Sequence, residues 1–327
     1  MKRRDFIALV GGTALVPFGL RAQPEVRKLA IVMAVAKTPE YVAASAALQQ
    51  VLGGLGWKQG DNLRIDDHWS AGSQEGARAV ALEIAASKPD VILGQSLAVI
   101  EALLSMTRTT PIVFVHVADP VASGLVSNLA RPEGNVTGIT NIVPSIGAKW
   151  LQLLKEIAPA VTRAALLVNP DTQPDRGVIF LDPFDAAARS LGVTSVKGEV
   201  RDLDAIEALM ASLATEPRGG VVVIPDAFFA SHSTQIVALA ERFRLPAVYP
   251  YRYYVAQGGL LSYGVNNVDL FRQAAPYVDR IFRGAKPSDL PVQQPTRFDL
   301  VINMRTAKAL GLTVPQTLQA SANEAIE

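Results

Sequence analysis

Pro111-Ile112-Val113-Phe114-Val115-His116-Val117-Ala118-Asp119-Pro120-Val121 joins two signals in one short stretch. Residues 112–117 are almost continuously apolar, as in a strand covered on both faces. Ala118-Asp119-Pro120 then turns the chain, and proline presets φ for the first turn of a following helix. Asp119 is either the cap of that helix or, from its place at a strand end, a group that orients a ligand amine. The same grammar recurs on both sides of this stretch. Apolar runs stand at 29–35, 91–94, 164–168, 221–224 and 260–263, and 136–140 reads as a further strand that ends the first half. Helix-like segments lie between them at 39–52, 74–87, 98–107, 145–157, 182–191, 203–214 and 231–243. Strand and helix alternating in this way imply a parallel sheet with right-handed crossovers. Gly53-Gly54, Gly56 and Gly192 mark helix ends.

The pattern restarts near Asn141, with enough strands before and after it for two sheets. The expected fold class is therefore α/β, with two doubly wound parallel-sheet lobes joined by a multi-strand hinge. Leu290-Pro291-Val292-Gln293-Gln294-Pro295 reads as a second connection between lobes. The expected division is 23–141 plus about 265–291 for the first lobe, and 142–264 plus about 292–327 for the second. Ligands of open α/β sheets sit outside the carboxyl ends of the strands, so two such lobes place the site in the cleft between them.

Composition narrows the function. The chain has 327 residues, 49% hydrophobic, with 31 Lys plus Arg against 30 Asp plus Glu. Without a basic excess, general nucleic-acid binding is disfavoured. With Cys at 0, disulfides, thiolate metal sites and cysteine nucleophiles are excluded. Met1-Lys2-Arg3-Arg4-Asp5-Phe6-Ile7 begins with a basic head, and a mostly apolar run follows to Leu20, then Arg21-Ala22. These are the parts of an export signal, and Arg3-Arg4 resembles its twin-arginine form. The run is shorter than the roughly 20 residues of a membrane span. Cleavage after Ala22 is expected, leaving a chain of net charge −2.

Strand ends carry the residues on which several kinds of chemistry would rest. Gly94-Gln95-Ser96-Leu97-Ala98 follows a strand and precedes a helix, as a hydrolase nucleophile would, but the second glycine is replaced by Ala98. His68, His116 and His232 are the available bases, and none has the context of a triad. The plainer reading is a turn at Gly94, with Ser96 capping the helix and offering its hydroxyl and amide to a ligand. The loop after the first strand lacks the glycine pattern of dinucleotide binding, and there is no P-loop. The three histidines lack a metal-ligand spacing. No cofactor or metal is expected. In the second half, Asn169-Pro170-Asp171 and Pro225-Asp226-Ala227 bring carboxylates to strand ends, and Ser262-Tyr263-Gly264 ends another strand. Aromatics gather late, at Phe228, Phe229, Tyr249, Tyr251, Tyr253, Tyr254 and Tyr263. Most such residues pack cores, while a few at strand ends can cover a planar ligand.

The stretch from Pro111 to Val121, then Gly124-Leu125-Val126 and the run from Arg131 through Gly134-Asn135-Val136 to Thr140, resembles the ABC transporter substrate-binding protein family. The resemblance is to the branch with tryptophan- and tyrosine-binding members. Gly60-Asp61-Asn62-Leu63, Leu166 to Pro170, and Val301-Ile302-Asn303 followed by Ala307 to Leu312 extend it across the chain. It implies a periplasmic-binding-protein type 1 fold that closes on a small ligand and presents it to an ABC permease in the inner membrane. Ligand contacts implied for this chain are Gln95, Ser96, Ala118, Asp119, Thr140, Asn141, Asn169, Asp171, Asp226, Ser262 and Tyr263. The expectation is a periplasmic, non-enzymatic, monomeric receptor for an amino acid or aromatic acid. Its alternatives are a ligand-sensing subunit for a membrane signalling partner and, behind both, an exported serine hydrolase using Ser96.

Overall fold

The computed structural model describes residues 26–70, 73–143, 145–173, 177–215 and 218–327. The expected export signal, residues 1–22, lies outside the described residues. The first half forms β1 (Arg27–Met33), α1 (Pro39–Gly54), β2 (Leu63–Trp69), α2 (Gln74–Ser87), β3 (Val91–Gln95), α3 (Leu97–Met106), β4 (Ile112–Val117) and β5 (Val136–Thr140). Its sheet is parallel, in the order β2-β1-β3-β4-β5. β3 and β5 are buried throughout, and β3 reads as an apolar run from Val91 to Gly94 for that reason.

The second sheet draws on β6 (Arg163–Val168), β7 (Thr194–Glu199), β8 (Gly219–Val223), β9 (Ala247–Tyr249), β10 (Leu261–Gly264), β11 (Asp299–Asn303) and β12 (Glu324–Ile326). Their order is β12-β11-β10-β9-β8-β6-β7, and every pair is parallel except β10 with β11. Around this sheet run α4 (Ile146–Ile157), α5 (Val178–Leu191), α6 (Leu203–Ala214), α7 (Ala227–Ser231), α8 (Ser233–Arg242) and α9 (Arg252–Ala256). α10 (Asn267–Phe282), α11 (Met304–Ala309) and α12 (Gln316–Ser321) complete the described helices.

The helices follow local rules. Ser73 caps α2 by accepting from Gly76 N at 3.0 Å, and Asp202 caps α6 by accepting from Ala205 N at 2.8 Å. Each such cap contributes about 1 kcal/mol. α5 begins at Val178, before the predicted start at residue 182, and keeps Pro183 in its interior. Trp150 of α4 is fully buried, stacks on Phe180 at 5.7 Å, and donates its indole N–H to the Tyr263 carbonyl at 2.7 Å. That bond ties α4 to the end of β10.

The chain passes between the two sheets three times. After β5 it enters α4. After β10 it returns to the first sheet, where α10 packs on α1 and against β3, β4 and β5. Residues 290–298 then carry it back to β11. The start of this last segment lies along β5, with Val292 N bonded to Leu129 O at 2.7 Å and Thr140 N bonded to Gln293 O at 2.9 Å. No helix follows Asp119-Pro120. Residues 118–135 form turns up to β5, so the helix expected there is absent and Pro120 serves a turn.

Candidate functional site

Each sheet has a switch point, where neighbouring strands send their connections to opposite faces. In the first sheet it lies between β1 and β3, and in the second between β6 and β8. Loops leaving such strands diverge and open a crevice at their carboxyl ends. The two crevices face one another. Together they enclose a cavity of about 300 Å³, at the small end of the range for small-molecule pockets. Ala34 and Val35 after β1, and Gln95 and Ser96 at the end of β3, line one side. Thr172 and Gln173 after β6, and Pro225 and Asp226 after β8, line the other.

Six of the predicted contacts share this cavity: Gln95, Ser96, Ala118, Asp119, Asn141 and Asp226. Gln95 is buried, and its carbonyl oxygen accepts from Ala34 N at 3.0 Å, which pins the loop after β1. Ser96 stands at the N-cap position of α3 with φ 77° and ψ 155°, yet its hydroxyl makes no capping bond. Its Oγ is buried without a partner. The cap expected of Ser96 is therefore absent, and the strained backbone sits at Ser96 rather than at Gly94. Such strain in a non-glycine residue gathers at functional positions. Gly94 serves packing instead, because a Cβ there would lie 2.4 Å from Ile100 Cδ1 of α3. Among the described residues no histidine is bonded to Ser96 Oγ.

Asp119 accepts from Val121 N at 3.1 Å and Ala122 N at 2.9 Å, through one oxygen. Asp226 uses both oxygens. Oδ1 accepts from Phe228 N at 2.8 Å and Phe229 N at 3.2 Å, capping α7, while Oδ2 accepts from Thr172 Oγ1 at 2.5 Å and Gln173 Nε2 at 3.3 Å. Burial raises its pKa, and these four hydrogen bonds oppose the rise.

Five predicted contacts lie outside the cavity lining. Thr140 ends β5, two strands from the switch between β1 and β3, and its hydroxyl donates to Ile142 O at 3.4 Å. Asn169 folds back to accept from Asp171 N at 2.9 Å. The Asp171 side chain turns to solvent and pairs with Arg201 at 3.2 Å. Ser262 and Tyr263 are on β10, two strands from the switch between β6 and β8. Ser262 is buried, and the Tyr263 ring stacks on Phe298 at 5.6 Å. Thr140, Ser262 and Tyr263 thus lie on strands away from the switch points, a placement that sequence spacing does not report.

The reading of single strand ends also missed part of the wall. Tyr41 comes from the first turn of α1, Ser73 and Gln74 from the start of α2, and Tyr251 from the loop after β9. His116 lines the cavity as well, and its position at a strand end was the one available signal. Its backbone has φ 58° at a register shift between Val115 and Val117, a bulge that re-aims the side chain. Burial pushes its pKa down to about 3, so the ring is neutral at ordinary pH. Among the described residues lining the cavity there are two carboxylates, Asp119 and Asp226, and no Lys or Arg. Among the described residues no group of three His, Cys, Asp or Glu side chains is placed to hold a metal.

The halves touch directly across the cleft. Gln74 Nε2 donates to Asp171 O at 3.1 Å, and Asn141 Nδ2 donates to Tyr251 Oη at 3.0 Å. Two lobes closing over a small interlobe cavity define a solute-binding protein of the periplasmic-binding-protein type, and solved structures with this architecture superpose along most of the chain. The chain belongs to the ABC transporter substrate binding protein family, whose sequence model matches residues 28–326. It is 25% identical over 275 residues to a tyrosine-binding protein of Clostridioides difficile (strain R20291), covering 84% of this chain and 78% of that one. A solved structure from Streptococcus pneumonia, described as an ABC domain in complex with L-Trp, superposes with a TM-score of 0.84 at 24% identity, covering 92% of this chain and all of that one. A ligand-free, open substrate binding protein from Clostridium difficile gives 0.68 at 25% identity, covering 92% and 99%. Identity and coverage are nearly equal in the two cases.

Proposed function

We propose that this protein is an extracytoplasmic receptor that binds a free amino acid in the interlobe cleft and delivers it to an ABC permease. The observation that carries the reading is the charge pattern of the cavity. Two carboxylates line it, its histidine is neutral, and no basic side chain is found among the described lining residues. An aromatic acid without an amine would meet a negative wall with no counter-ion among the described lining residues. A zwitterion carries an ammonium that Asp226 and Asp119 attract. Its carboxylate fits the start of α3, whose first-turn amides have no intrahelical carbonyl to bond and favour negative charge. Ser96 Oγ, buried and unpartnered beside them, supplies a hydroxyl donor. Tyr41, His116 and Tyr251 offer ring surface to an aromatic side chain. Tyrosine and tryptophan, the ligands of the two relatives, suit this combination.

In this reading the lobes 26–141 with 265–291, and 142–264 with 292–327, swing about the three crossings. The open cleft admits the ligand, contacts from both halves stabilise closure, and the closed monomer docks on its permease. The chain reaches the periplasm through the signal in residues 1–22. The test is a thermal-shift and calorimetric screen of the L-amino acids beside matched aromatic acids that lack the amine. A bound amino acid at about 100 times its Kd adds about 2.7 kcal/mol of stability. Equal binding of the amine-free acids, or no response to any amino acid, would overturn the proposal.

A further inference from the structure

His116, Tyr251 and Asn141 form a chain of side chains that crosses the cleft. His116 comes from β4 in the first lobe. Tyr251 follows β9 in the second, and Asn141 stands where the polypeptide first leaves β5 for the second lobe. Asn141 Nδ2 donates to Tyr251 Oη at 3.0 Å, and Tyr251 Oη lies 3.4 Å from His116 Nδ1. The rings of His116 and Tyr251 stack at 5.5 Å with 27° between their planes. Tyr41 of α1 and Phe271 of α10 close on the imidazole edge-on, at 6.1 and 6.2 Å. The titratable groups packed on the ring are thus Tyr41 and Tyr251. Burial pushes both phenols up, so both are neutral and neither is a counter-ion for an imidazolium.

This arrangement determines where the imidazole proton sits. The Asn141 amide donates to the Tyr251 oxygen, so the phenolic proton is free to point at His116 Nδ1. An Nδ1 that accepts a hydrogen bond carries no proton, and a neutral ring then holds its proton on Nε2. His116 Nε2 is buried without a partner, on a residue that lines the cavity and whose backbone is bent into the left-handed region. We infer that Tyr251 is a positioning residue that fixes His116 as an Nε2–H donor at the cavity wall, so that the cleft completes this donor only when its two halves meet. The group it recognises is an oxygen acceptor on the ligand, such as a hydroxyl, carbonyl or carboxylate, and never a second ammonium. The ligand side of the inference rests on the cleft being the binding site, while the proton placement does not.

The experiment therefore needs no ligand. With three histidines in the chain, long-range ¹H–¹⁵N spectra of ¹⁵N-histidine-labelled protein resolve each ring, and His116→Gln assigns the resonance. His68 and His232 serve as internal references. The expected wild-type result at about pH 7.5, where the ring is neutral in the open as in the closed form, is an unprotonated Nδ1 and a protonated Nε2 on His116. Tyr251→Phe keeps the ring stack and removes the hydroxyl, so the pure Nε2–H signature should give way to a tautomer mixture. Circular dichroism reports whether that variant is folded, and the wild-type spectrum decides the matter even if it is not. A wild-type ring protonated on Nδ1, or a tautomer unchanged in a folded Tyr251→Phe protein, overturns the inference. Screening of ligands by calorimetry is a separate measurement, so failure of the amino-acid reading leaves a different trace.

Discussion

Replacing Asp226 by Asn separates the two duties of this carboxylate. The side chain keeps its shape, and Asn Oδ1 can still accept from Phe228 N and Phe229 N, the bonds that cap α7. On the other side, Nδ2 faces Thr172 Oγ1 and Gln173 Nε2. The threonine hydroxyl can rotate and accept. The glutamine amide must flip, which sacrifices its bond to Pro225 O, now 3.2 Å. One neutral hydrogen bond is worth about 1 kcal/mol, and removal of a buried charge offsets part of it. Stability should change by no more than about 1 kcal/mol, a shift in Tm of at most about 4 °C. Binding should change far more. An ammonium ~6 Å from the carboxylate gains about 2.8 kcal/mol at an effective dielectric constant of ~20. Losing it weakens an amino-acid ligand about 100-fold in Kd. The assay is calorimetric titration of wild type and variant with whichever L-amino acid the screen identifies, beside a thermal melt of each. Retention of affinity within about threefold, in a variant with an unchanged melt, would falsify the placement of the ammonium beside Asp226.

Three further outcomes are expected. Gly264→Ala puts a Cβ 1.8 Å from Pro250 O, a backbone clash that no rotamer relieves. It should cost at least about 3 kcal/mol in chemical denaturation, and it displaces the residue next to Tyr251. Gln74→Ala removes the cross-cleft bond to Asp171 O from an exposed helix start, so the global melt should hold while Kd rises about fivefold, the equivalent of about 1 kcal/mol lost from the closed state. Closure that buries His116 favours its neutral form, so this contribution is whole above the open-state value near 6.5 and declines as pH falls from there toward about 3. At pH 5 the closed state should be weakened by up to about 2 kcal/mol, or about 30-fold in Kd. His116→Gln should flatten that profile.

Much of the fold was legible because its signals are local. A strand covered on both faces is largely apolar, so β3, β4 and β6 stand out as nearly continuous runs. β2 and β7 were not found. Each flanks its sheet and exposes polar side chains in the sequences Leu-Arg-Ile-Asp-Asp-His-Trp and Thr-Ser-Val-Lys-Gly-Glu. β9 and β12 have three residues each, too few to show a period.

The alternation of strands and helices, the restart after Asn141 and the polar groups near strand ends are legible in the sequence alone, since each depends on residues a few positions apart. The tertiary structure decided which strand ends meet. Gln95, Ser96 and Asp226 adjoin the two switch points, whereas Thr140 and Ser262 lie on strands two places away. Tyr41, His116 and Tyr251 converge from α1, β4 and the loop after β9. That convergence depends on how one lobe closes on the other, through contacts between residues far apart along the chain, and no periodicity within a single element carries it.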